Sequence, residues 1–147
     1  MIEERTADIL LVEDNAEDAE LAVAALRERQ MGNKVIHFVD GDGVLDFICG
    51  LSWSSNLDLA NAPRLILLDL KLTRIGGLEV LQQLKVRDQT RPIPVVVFTG
   101  AHDQKEMFES YRLGANSYVV KPGDAKEFAK LVGDIAYYWL AVNHPGF

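Results

Sequence analysis

Five side chains in this sequence could do chemistry together: Glu13, Asp14, Asp69, Thr99 and Lys121. Each follows an apolar run. "DILLVE" (8–13) delivers Glu13 and then Asp14. "RLILLD" (64–69) delivers Asp69. "IPVVVF" (93–98) delivers Thr99 and then Gly100, and "SYVV" (117–120) delivers Lys121 and then Pro122. Three carboxylates brought together repel one another, and a divalent cation relieves that repulsion. An all-oxygen donor set with few protein ligands suits magnesium or manganese. A carboxylate beside such a cation can act as a nucleophile toward phosphorus. The equatorial oxygens of a transferring phosphoryl group then call for positive charge and hydrogen-bond donors. Lys121, Thr99 and the cation would supply them, and Gly100 would let backbone approach an anion closely.

Taken singly, each residue has a plainer reading. An Asp at a strand end is a turn or cap residue, Glu-Asp before Asn opens a helix, Thr after a strand is β-branched filler, and Lys-Pro is a loop. The functional reading rests on their joint occurrence, one group per strand end.

The elements that must position these residues alternate along the chain. "NAEDAELAVAALRERQ" (15–30) has Ala19, Ala22, Val23 and Leu26 at helical spacing, with Asn15 able to cap its start and Gly32 just past its end. "KVIHFV" (34–39) reads as a second strand and "DGVLDFICG" (42–50) as a short helix. "GLEVLQQLKVR" (77–87) repeats Leu78, Leu81 and either Leu84 or Lys85. "DQKEMFESYRLG" (103–114) is amphipathic and closes on Gly114. "DAKEFAKLVGDIAYYWLAV" (124–142) is the last helix. Five strands alternating with five helices predict an α/β fold: a doubly wound, flavodoxin-like parallel sheet of order 2-1-3-4-5. Such sheets place their sites at the carboxyl ends of the strands. There strands 1, 3, 4 and 5 are neighbours. The polar stretch 49–64 is a surface excursion with no readable role.

Composition bounds the rest. The 147 residues are 48% hydrophobic and 25% charged with a net charge of −7. One domain is expected, and a nucleic-acid surface is not. The single cysteine, Cys49, permits no internal disulfide and reads as a small hydrophobe in a helix. No apolar stretch spans a membrane, and "MIEERTAD" lacks the apolar core of a signal peptide, so a cytoplasmic protein is expected.

"LLVEDN", "LILLDL", "VVVFTG" and "GANSYVVKP" together resemble the receiver domain of two-component response regulators, over about residues 7–141. The resemblance implies that Asp69 accepts a phosphoryl group from a sensor histidine kinase. It implies that Asp14, Asp69 and the backbone carbonyl of Lys71 bind magnesium, with Glu13 acting through water. Thr99 and Lys121 would contact the phosphoryl oxygens, Tyr118 would be the aromatic that turns inward when Thr99 moves, and the Lys121–Pro122 bond is expected to be cis, as in the family. Thr73, Gly76 and Gly123 depart from the family's usual proline, Asp and aromatic residue. None is a phosphate or metal ligand. The Lys71 side chain is open to two readings, shielding the phosphoryl group or facing solvent. Within the family, "VEDNAEDAEL", the lengthened segment before strand 3, "DLKLTRIGG" and "YYWLAVNHP" are more similar to regulators paired with cyanobacterial phytochromes and bacteriophytochromes.

The chain ends about five residues after its last helix, so output is expected as a change of shape read by another protein or a second copy. Phe128, Leu131, Val132, Ile135, Trp139 and Val142 form the stripe expected against the sheet. "AYYWLAV" (136–142) is apolar all round, which predicts a further contact. Tyr137, Tyr138 and Leu140, with the tail 142–147, are expected at a homodimer interface. Cover by the 51–63 loop is the alternative. Three competing functions remain: a haloacid-dehalogenase-type phosphohydrolase, which needs an acid where Lys71 stands; a flavin carrier, whose phosphate loop "VEDNAED" would repel; and an unphosphorylated scaffold.

Overall fold

The computed structural model describes residues 7–30, 34–50, 62–100 and 102–146, with the side chains of Cys49 and Gly50 outside that description. Five strands run β1 (Ile9–Val12), β2 (Val35–Phe38), β3 (Leu65–Leu68), β4 (Val95–Thr99) and β5 (Ser117–Val120). The helices between and after them are α1 (Ala16–Glu28), α2 (Gly41–Gly50), α3 (Gly77–Val86), α4 (Gln104–Arg112) and α5 (Ala125–Tyr137). All strand pairs are parallel, in the order β2-β1-β3-β4-β5. This is the expected doubly wound sheet.

The sheet is buried on both faces, which is why its central strands read as unbroken apolar runs rather than alternating ones. Alternate residues serve opposite sides. Leu10, Val12, Ile66, Leu68, Val95 and Val97 pack with Val44 and Ile48 of α2 and Val80, Leu81 and Leu84 of α3. Ile9, Leu11, Leu65, Leu67, Val96 and Phe98 pack with Ala19, Ala22 and Leu26 of α1 and Phe128, Val132 and Ile135 of α5. Each such Leu, Ile or Phe contributes roughly 1.5–3 kcal/mol relative to exposure.

Local signals set the helix ends. Asn15 Oδ1 accepts from the Asp18 amide at the start of α1, and Asp103 and Asp124 cap α4 and α5 in the same way. Gly114, at φ 108°, ends α4 as expected. The residue in the left-handed region after α1 is Gln30, at φ 57°; Gly32, expected to close that helix, lies outside the described residues, as do most of the 49–64 segment, the "MIEERT" start and Phe147.

Three expectations need correction. The Lys121–Pro122 bond is trans, since the described residues contain no cis peptide. The last helix does not continue regularly to 142: α5 ends at Tyr137, and Tyr138–Val142 form a π-helical turn closed by the Asn143 amide on the Tyr138 carbonyl at 2.6 Å. Val142 therefore leaves the sheet-facing stripe and is 46% exposed. A π-helical turn carries more residues per turn than the α-helix, so a side chain due under the helix is rotated away from it.

Candidate functional site

The site begins where the strand ladders overrun the strands. The Glu13 amide donates to the Phe38 carbonyl at 2.9 Å, that of Asp69 to Val12 at 3.0 Å, and that of Lys121 to Thr99 at 2.7 Å. Site residues are thus fixed by the same backbone bonds that build the sheet. The β1–β3 register, Val12 opposite Leu68, aligns the acidic ends of both strands.

Glu13 and Asp69 are buried although charged residues seldom are. Lys121 explains this. Its Nζ donates to Glu13 Oε1 at 2.6 Å, Asp18 Oδ2 at 2.8 Å and Asp69 Oδ2 at 3.3 Å. Burial alone would pull the lysine's pKa down. The bonds to Asp18 and Glu13 and the charge of Asp69 reverse that and hold it above its ordinary value. Glu13 feels the opposite balance. Burial and its neighbour Asp69 push its carboxyl up to about 7, against the pull of Lys121. Its other oxygen, Oε2, accepts from the Asn15 amide at 3.1 Å.

Asp69 is oriented from two sides. Oδ1 accepts from the Lys71 amide at 3.2 Å, and Oδ2 from Lys121. The Lys71 side chain is exposed, so at this loop it is the backbone that meets the Asp69 carboxylate. Asp14 is exposed, yet carboxylate oxygens of Glu13, Asp14 and Asp69 all come within 4.8 Å of one another. Three hard oxygen donors converging from one side, one of them open to solvent, fit a divalent cation that retains water.

Thr99 is fully buried and its hydroxyl has no hydrogen-bond partner among the described residues. A buried hydroxyl of that kind is costly, and its place at the end of β4 leaves it available to an anion at the rim. Tyr118 is half-buried against the α2–α3 side of the core. Its amide donates to the Tyr111 hydroxyl at 3.2 Å, and burial pushes its own hydroxyl's pKa up.

Among the expected interface residues, Tyr137 and Tyr138 are 54% and 49% exposed. Leu140 is half-buried on the α1–α5 side, and its carbonyl accepts from Arg64 Nη2 at 3.4 Å. The residue sequence reasoning missed is Asp18. The signal was there: it lies one α-helical turn past Asp14, on the first turn of a helix that starts at the rim.

The model of the response regulator receiver domain family matches residues 9–133. The probable methanogenesis regulatory protein FilR2 of Methanothrix harundinacea is 36% identical over 139 residues, covering 94% of this chain and 87% of its own. Response regulator Rcp1 of Synechocystis is 35% identical over 132 residues, covering 90% and 88%. The manganese-bound structure of Rcp1 superimposes with a TM-score of 0.82 at 33% identity, covering 95% and 98% of the two chains. The phosphorylated cyanobacterial phytochrome response regulator RcpA gives 0.83 at 32% identity, covering 95% and 97%.

Proposed function

The chain belongs to the response regulator receiver domain family, and on that premise we propose that it is a phosphoacceptor in which Asp69 takes a phosphoryl group from a sensor histidine kinase of phytochrome type. The observation that carries this reading is the Asp69 carboxylate: buried, bonded by the Lys71 amide and Lys121 Nζ, and within ligand reach of Glu13 and Asp14.

Asp69 would attack phosphorus through a carboxylate oxygen. The P–N bond to the kinase histidine breaks, its electron pair returns to the imidazole, and an acyl phosphate forms on Asp69. Magnesium or manganese held by Asp14, Asp69, the Lys71 carbonyl and, through water, Glu13 would offset the charge on the phosphoryl oxygens. Lys121 supplies an ammonium to one of those oxygens and Thr99 a hydroxyl proton to another. Once Thr99 turns toward the phosphoryl group, Tyr118 can fill the space behind it, which gives the chemistry a shape to signal with. The receiver unit is taken as residues 7–141.

Phytochrome linkage rests on the likeness to Rcp1 and RcpA. Homodimerisation through the end of α5 and the tail is supported by the exposed Tyr137, Tyr138 and Val142. A haloacid-dehalogenase-type hydrolase would need an acid in place of Lys71. No described helix is long and apolar enough to cross a membrane, in keeping with a cytoplasmic location.

Incubation with acetyl phosphate and magnesium, followed by intact-mass measurement, tests the proposal. A phosphoryl adduct of about 80 Da is expected on the wild type and absent from Asp69→Asn or after chelation. No adduct with any small donor or partner kinase would overturn it.

A further inference from the structure

The ammonium of Lys121 has three protons, and all three have acceptors: Glu13, Asp18 and Asp69. Two of these partners, Glu13 and Asp69, belong to the carboxylate set whose oxygens converge within 4.8 Å. Asp18 does not belong to that set. A cation at the rim therefore draws on two of the lysine's three partners and leaves the third alone.

Asp18 is also well fixed. Its amide is held by the Asn15 side chain at 2.9 Å, which fixes its backbone at the start of α1, and its carboxylate is held by Lys121. Its bond to Lys121, at 2.8 Å, is shorter than the 3.3 Å between Lys121 and Asp69. The Asp18 side chain is mostly buried, as is that of Lys121. An acid on the first helical turn is favoured in any case by the helix dipole; the bond to Lys121 is what that general preference does not require.

We propose that Asp18 is a positioning residue for phosphoryl transfer: it anchors the Lys121 ammonium beside Asp69 when Glu13 and Asp69 turn to the cation, so that one N–H is already aimed at the incoming phosphoryl oxygen. This deepens the reading of Asp69 as phosphoacceptor and rests on it. Lys121 touches the reacting group; Asp18 acts through Lys121.

The test is a double-mutant cycle on the full chain, with the rate of adduct formation from acetyl phosphate at saturating magnesium as readout. Asp18→Ala should slow the rate about tenfold, the scale expected for a misplaced charged donor. Asp18→Asn keeps an acceptor oxygen and should lose about threefold or less. In a Lys121→Ala background, Asp18→Ala should cause no further loss, because the lysine through which it acts is gone. Thermal unfolding of each variant identifies any that fail to fold; the milder Asp18→Asn, compared in the same two backgrounds, then carries the comparison. An undiminished rate in Asp18→Ala, or an equal loss with and without Lys121, overturns the positioning role while leaving Asp69 as acceptor. A wild type that forms no adduct overturns both.

Discussion

Gly77 lies directly against the backbone of Asp69. A Cβ at position 77 would overlap the Asp69 carbonyl oxygen and lie 2.5 Å from Leu70 Cα, and the Gly77 amide donates to the Leu70 carbonyl at 3.0 Å. The first turn of α3 thus holds Asp69 in place, and only glycine permits that approach. Gly77→Ala is expected to destabilise the fold by about 1–3 kcal/mol through overpacking. It should also slow phosphoryl acceptance by about tenfold, since a displaced attacking group loses its alignment. Urea unfolding and adduct kinetics measure the two effects, and a loss of stability with a normal rate would refute the link to Asp69.

Gly76 offers the contrary case. It is the N-cap of α3 at φ −69° and ψ 159°, with no side chain to bond the free amides of the first turn. A Cβ there meets nothing within 4 Å. Gly76→Asp should stabilise the protein by about 0.5–1 kcal/mol, through a capping bond and a less flexible unfolded chain. A raised melting temperature checks this. The departure of this chain from the family's usual Asp is then a loss of helix-start stability and not a change in chemistry.

Lys121→Met should unfold more easily when metal is removed. It leaves Glu13 and Asp69 buried side by side with no cation, a change that costs about 3–5 kcal/mol in comparable buried pairs. Magnesium should restore part of that loss by binding the folded state alone. Denaturation curves with chelator and with magnesium give the comparison. A magnesium effect no larger than in the wild type would show that Lys121 does not stand in for the cation.

The raised pKa of Glu13 predicts a pH dependence in the metal-free protein. Its folded-state value of about 7 stands above the ordinary 4.5. Between those values the folded state binds more protons than the unfolded one. The stability Glu13 contributes is therefore full below about pH 4.5 and is lost as pH rises through about 7. In chelator, the wild type should lose about 1–2 kcal/mol more than Glu13→Gln over this window, allowing for solvent at the rim. Parallel pH profiles for the two proteins would contradict the assignment.

Tyr137→Ser combined with Val142→Ser should leave the fold intact, because both residues are exposed. It should convert a dimer to a monomer in sedimentation at micromolar concentration. A wild-type protein that is monomeric at high micromolar concentration, phosphorylated or not, removes the proposed interface.

The sheet order and the rim were legible in the sequence because both follow from local signals. Unbroken apolar runs mark strands buried on two faces, and the residue after each run is placed by the ladder, as with Asp69 on Val12 and Lys121 on Thr99. What escaped the sequence depends on neighbours distant in the chain. Asp18 reads as ordinary helix-start chemistry until Lys121, 103 positions on, is beside it. Lys85 could be stripe or surface by spacing; in the structure its stem packs on Gly114, and its Nζ donates to the carbonyls of Arg91 and Ile93 and to Asn116. The trans bond before Pro122 and the widened turn after Tyr137 have no marker in residue type.

That widened turn changes how the end of the chain can be altered. A π-helical turn behaves as an α-helix with one surplus residue, so everything after Tyr138 is out of phase with the helix before it. Deleting a single residue between Tyr138 and Val142 would remove the surplus and restore α-helical winding, with Val142 facing about the direction it faces now. The direction in which this protein offers its last apolar side chains is thus set by winding and not by length: the same residues rewound as regular α-helix would turn Val142 back toward the sheet.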